Sequence, residues 1–68
     1  MSDSAMPGMT GRVSVPIPPD GPGEIIVSIR GGSEAFTAYT QGGEALEKNA
    51  RAVVVEQTGP RTVLVTSY

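Results

Sequence analysis

Glu24-Ile25-Ile26-Val27-Ser28-Ile29-Arg30-Gly31-Gly32-Ser33-Glu34-Ala35-Phe36-Thr37-Ala38-Tyr39-Thr40 is the stretch on which the reading of this chain turns. Two runs with strand-like alternation flank Gly31-Gly32, and a Gly-Gly pair supplies the positive φ that a two-residue hairpin turn demands. Pairing across that turn sets Val27 opposite Phe36, Ile25 opposite Ala38 and Ile29 opposite Glu34. One face of the hairpin is then nearly all apolar. The other carries Glu24, Ile26, Ser28 and Arg30 against Ser33, Ala35, Thr37 and Tyr39. A loop one residue longer would turn Phe36 outward and lose that segregation, because side chains alternate faces along a strand.

Upstream, Val13, Val15 and Ile17 alternate with Arg12, Ser14 and Pro16, a first strand with one apolar face. Pro16 has no amide hydrogen for a ladder, so the strand should end near Ile17. Pro18-Pro19-Asp20-Gly21-Pro22-Gly23 is a dense turn cluster. It reads as a rigid connection between strands in preference to a proline-rich ligand for an aromatic groove. Met1–Met9 is small, polar and without periodicity, and reads as a disordered lead to a domain spanning 10–68.

Downstream, Gln41-Gly42-Gly43 reverses the chain. Glu44–Lys48 is long enough for a single helical turn, with Leu46 placed to plug an open end of the core. Asn49 suits left-handed geometry, which Asn tolerates better than most residues. The run Ala52-Val53-Val54-Val55 suggests a strand buried on most of both faces, so its inward side cannot be assigned from periodicity. After the turn Thr58–Arg61, a last strand at Thr62–Ser67 sets Val63 and Val65 on one face and Leu64 on the other. The fold class is therefore all-β. Five short strands in a chain too small for two sheets favour an antiparallel barrel, which also removes exposed edges. With a helical turn between the third and fourth strands, the order is that of an OB-fold; an SH3-like barrel is the structural alternative. Val13, Val15, Ile17, Ile25, Val27, Ile29, Phe36 and Ala38 are predicted to point inward.

Composition narrows the chemistry. The chain has 68 residues, one Phe, two Tyr, no Trp, no Cys and no His. Without cysteine there is no disulfide staple and no thiolate metal site. A hydrolytic nucleophile needs a base held against it, and without His or Cys the remaining base is Lys48, in a polar linker that would leave its amine protonated. Glu44 and Glu47 could share a cation, but nothing fixes their spacing to a known ligand loop, and a solvated acidic face explains them. The residues thus argue against an enzyme and suggest no catalytic, cofactor or metal site. No run approaches the roughly eighteen apolar residues of a membrane span.

OB-folds often bind single-stranded nucleic acid on the face of the second and third strands, through aromatic and basic residues. Here that face offers Tyr39 and Arg30, a thin platform, and the net charge of −2 opposes a polyanion. A protein partner is the favoured reading, with Ile26, Arg30 and Tyr39 as the contact residues. A free-standing barrel that binds single strands weakly is the alternative.

From Gly11 to about Thr66 the chain resembles the C-terminal soluble domain of NfeD-like membrane proteins. The resemblance is carried by Gly11-Arg12-Val13 opening the first strand, the turn Pro19-Asp20-Gly21, the strand Glu24–Ile29 and the element Phe36-Thr37-Ala38. The linker Leu46-Glu47-Lys48-Asn49, the valine-rich strand and the Gly59 turn complete it. Phe36 stands where the family usually has Trp, and Asn49 where it usually has Gly. The resemblance implies an OB barrel attached to transmembrane helices outside this chain, on the cytoplasmic side of a membrane. It also implies a functional link with stomatin- and flotillin-type (SPFH) membrane scaffold proteins. Long members of the family carry a separate serine protease domain that this chain lacks, so no protease activity transfers.

Overall fold

The computed structural model of the chain describes residues 6–29 and 31–68. Its strands are β1 (Thr10–Val15), β2 (Gly23–Ile29), β3 (Gly32–Thr40), β4 (Arg51–Gly59) and β5 (Thr62–Ser67), with a 3₁₀ turn at Gln41–Gly43. They close in the order β1-β2-β3-β5-β4. Strand β1 meets β4 through Thr10–Arg12 against Arg51–Val53, which shuts the ring. That order is the OB order, and it sets aside the SH3-like alternative.

One seam corrects the expectation of a wholly antiparallel barrel. Strand β3 runs parallel to β5, from Thr37 beside Thr62 to Thr40 beside Val65. A closed ring with an odd number of strands cannot alternate direction all the way round. With β1 antiparallel to both β2 and β4, the like-directed neighbours must be β3 and β5.

Inside the ring, Val13, Ile17, Ile25, Val27, Val54, Val63 and Val65 are almost wholly removed from solvent, each contributing about 1.5–3 kcal/mol of burial. Phe36, Ala38 and Ala52 complete this interior, and Leu46 closes it as expected. In the valine-rich strand, Ala52 and Val54 turn inward while Val53 and Val55 are half-buried.

The central hairpin keeps the predicted faces but not the predicted partners. Ile25 pairs with Phe36, Val27 with Glu34 and Ile29 with Gly32, the last pair before the connection that contains Gly31. The register is offset by two residues from the expected one. Since side chains repeat every two residues, Phe36, Ile25 and Val27 still face inward. Apolar segregation is the same in both registers and could not separate them. The turn does: Gly31 has φ 80, while Gly32 lies inside β3.

Val15 was expected inward and is 48% exposed. Val13 pairs with Ile25 and Val15 with Glu24, so β1 carries one residue more than β2 between these pairs. Such a bulge reverses the alternation beyond it. The Ser14 hydroxyl donates to the Glu24 carboxylate at 2.7 Å across this point. Ile17 then returns inward, exchanging two backbone hydrogen bonds of 2.9 Å with Leu46. Ile29, also expected inward, is half-buried and packs against the core from its margin.

The predicted helical turn at Glu44–Lys48 is displaced to Gln41–Gly43. Leu46 spends its backbone groups on Ile17, and the Asn49 N–H donates to the Val13 carbonyl at 2.7 Å, so no helical turn forms there; the Ala50 N–H donates to the Glu47 carbonyl at 3.0 Å and closes a β-turn instead. Asn49 is left-handed as read, with φ 75. At the other end, the barrel's packing begins before Thr10. Met6 is buried, the Gly8 N–H donates to the Val54 carbonyl at 2.7 Å, and the Val54 N–H donates to the Met9 carbonyl at 2.8 Å. Among the described residues, no helix is long and apolar enough to cross a membrane.

Candidate functional site

Outward residues of neighbouring strands form one row across the barrel. Arg12 on β1 faces Arg51 on β4 to one side and Ile26 on β2 to the other. Ile26 in turn faces Ala35 on β3. Inward neighbours fix these directions, since Val13, Ala52, Ile25 and Val27 are all completely buried. Tyr68 extends the row beyond Arg51: its N–H donates to the Arg51 carbonyl at 3.2 Å, and the residue is 75% exposed.

Over the middle of this row lies an open hollow of about 470 Å³. Arg12, Arg51 and Ile26 line it together with Gly11, and the polar residues Thr10, Ser28 and Ser33 border it. Gly11 permits the close approach beneath. A Cβ there would stand 2.7 Å from the Ile26 carbonyl oxygen and 3.1 Å from Val27 Cγ2.

The electrostatics are one-sided. Arg12 and Arg51 are exposed, directly opposed and of like charge, an arrangement that costs stability in a sheet. Among the described residues, neither arginine enters a side-chain hydrogen bond. Glu24, on the same outer face, receives the Ser14 hydroxyl. Such a row presents two donor forks beside an apolar group, which suits recognition of an anionic partner.

Of the predicted contact residues, Ile26 and Tyr39 lie apart. Ile26 sits in the hollow, half-buried. Tyr39 is 42% exposed but lies beside Leu64 of β5, about 13 Å along β3 from the row at four residues' rise. Arg30 lies outside the described residues. Arg12, Arg51 and Tyr68, which the sequence reading did not single out, are brought together beside Ile26 by the strand pairing. The OB strand order, which sets the first strand beside the fourth, was the signal that could have joined Arg12 to Arg51. No group of three or more His, Cys, Asp or Glu able to hold a metal occurs among the described residues.

Comparison with known proteins agrees with the architecture. The solution structure of the soluble domain of the NfeD protein YuaF from Bacillus subtilis superposes with a TM-score of 0.78 at 24% identity, over 90% of this chain and 71% of that one. The C-terminal domain of stomatin operon partner protein 1510-C from Pyrococcus horikoshii gives a TM-score of 0.77 at 26% identity, over 100% of this chain and 95% of that one. No curated protein matches the chain. The family model described as NfeD C-terminal domain matches residues 10–66, the whole barrel from the start of β1 to the end of β5 but for its last residue, and the chain belongs to that family.

Proposed function

We propose that this barrel is a non-catalytic interaction module of an NfeD-like membrane protein, acting with a stomatin- or flotillin-type scaffold protein on the cytoplasmic side of the membrane. The observation that carries this reading is the full-length likeness to a domain whose own name is stomatin operon partner protein. The chemistry of the chain supports it. With no His or Cys, a hydrolytic nucleophile has no ready base, and the surface hollow joins arginines to an apolar group instead of an acid to a base. Tyrosine and arginine are the residue types that concentrate at protein interfaces, and the row across the barrel is built from them.

The test is in-cell photo-crosslinking from positions 26, 39 and 57 in turn, which lie on different parts of the barrel surface, with the parent protein expressed at its native level. Recovery of a stomatin- or flotillin-like protein is expected. Its absence from the crosslinked species, in cells that express one, overturns the proposed role.

A further inference from the structure

We infer that the Tyr68–Arg51–Arg12–Ile26 row is a docking site for an extended, acidic segment of a partner protein. Carboxylates would sit on the two guanidinium groups and an apolar side chain over Ile26. This rests on the reading of the barrel as a protein-interaction module and names the surface and the chemistry of what it takes.

Charge complementarity carries the inference. The chain is acidic overall, yet two of its arginines stand directly opposite each other, and the hydrogen-bonded carboxylate on that face belongs to Glu24, which receives Ser14. Opposed like charges weaken a sheet, so the stability of the barrel gives no reason for the pair. An anionic ligand does, since each guanidinium can take a carboxylate in a forked, charge-assisted pair. Ile26 settles the class of ligand. It is half-buried, directly beside Arg12, and flanked by the polar residues Ser28 and Ser33. A peptide that alternates its side chains can place a carboxylate and an apolar group on one face two residues apart, about 7 Å, which is within reach of neighbouring strands. A nucleic-acid strand wants a track of cations and a run of stacking faces. Here the remaining described cations, Lys48 and Arg61, lie in the β3–β4 link and the β4–β5 turn, away from the row.

The experiment is an amide-resolved NMR titration of the 68-residue chain. The probe is a peptide carrying two glutamates and a leucine at alternate positions, separated and flanked by serines. Its control has glutamines in place of the glutamates. Saturable shifts are expected at Gly11, Arg12, Ile26, Ser28 and Arg51, weakening with salt and absent with the glutamine control. Arg12→Glu should lower the affinity about tenfold or more, because it sets a repelling charge in the site and pairs with Arg51. The same spectra should show that the variant keeps its fold. Lys48→Glu removes equal charge elsewhere and should leave the affinity unchanged.

Shifts centred on another face, no saturation at millimolar peptide, or equal losses in Arg12→Glu and Lys48→Glu would each overturn the inference. So would tighter binding at this row by a thymidine oligonucleotide or by phosphatidylglycerol vesicles, which would assign it to nucleic acid or membrane. Crosslinking separates this result from the wider reading. A scaffold protein still recovered at full yield with Arg12→Glu when the crosslinker is moved off the row, to position 39 or 57, leaves the module role standing and removes the row as its site.

Discussion

The guanidinium carbon of Arg61 lies over the Phe36 ring, 5.6 Å from its centroid. The Arg61 carbonyl also receives the Thr37 N–H at 2.9 Å, just where the parallel β3–β5 seam begins. Phe36 is thus packed from within by the core and covered from outside by a cation. Truncating the ring removes both contacts. Phe36→Ala should cost about 3–5 kcal/mol in urea unfolding, and a change below about 1 kcal/mol would mean the ring is not part of the core. Arg61→Ala, which leaves the ring in place, should cost only about 0.5–1 kcal/mol.

The opposed arginines give a prediction of the other sign. Arg12→Glu turns a like-charged cross-strand pair into an opposite-charged one, and should stabilise the barrel by about 0.2–1 kcal/mol at low salt. The gain should shrink as salt rises. A destabilised variant at low salt would show that Arg12 is already compensated.

Glu44 ties the link between β3 and β4 to the last strand. Its carboxylate receives the Ser67 N–H at 2.8 Å and the Thr66 hydroxyl at 3.3 Å, and its carbonyl receives the Thr40 hydroxyl at 2.6 Å. Glu44→Ala should cost about 1–2 kcal/mol, in the range of hydrogen bonds to a charged group. Amide exchange should quicken at Ser67 before it quickens in the core.

Gly11 is replaceable only by moving backbone. With a Cβ 2.7 Å from the Ile26 carbonyl, Gly11→Ala must part β1 from β2, at about 1–3 kcal/mol. The hollow above it widens in consequence. Peptide affinity at the arginine row should fall in this variant although Arg12, Arg51 and Ile26 are unchanged.

What could be read from the chain was what repeats locally. Alternation put Ile25, Val27, Phe36 and Ala38 inside, and Leu46 and Asn49 announced themselves by size and by tolerance of left-handed backbone. Val15 was misplaced because a bulge changes partners without changing the spelling of the strand: Val-x-Val-x-Ile is intact on either side of Ser14. The offset in the central hairpin was hidden for a related reason, since a two-residue slip preserves both faces. The Arg12–Arg51 pair was the least legible part. Ile26 was found on the central hairpin, but its neighbours Arg12 and Arg51 come from strands that meet only when the ring closes. No local pattern marks them.

The packing of Met6–Met9 has a consequence for how the barrel is held. The chain arrives along β4, with Gly8 and Met9 bonded to Val54, and Pro7 lies in a hollow with Glu56, Gln57 and the Gly59-Pro60 turn. Pro7 therefore stands at the β4–β5 hairpin end of β4. Arg51 is at the opposite end of β4, about 15–20 Å away at five residues' rise from Glu56. A load applied to the backbone at Pro7 would enter the barrel at its hairpin end, with the Arg12–Arg51 pair at the far end of β4.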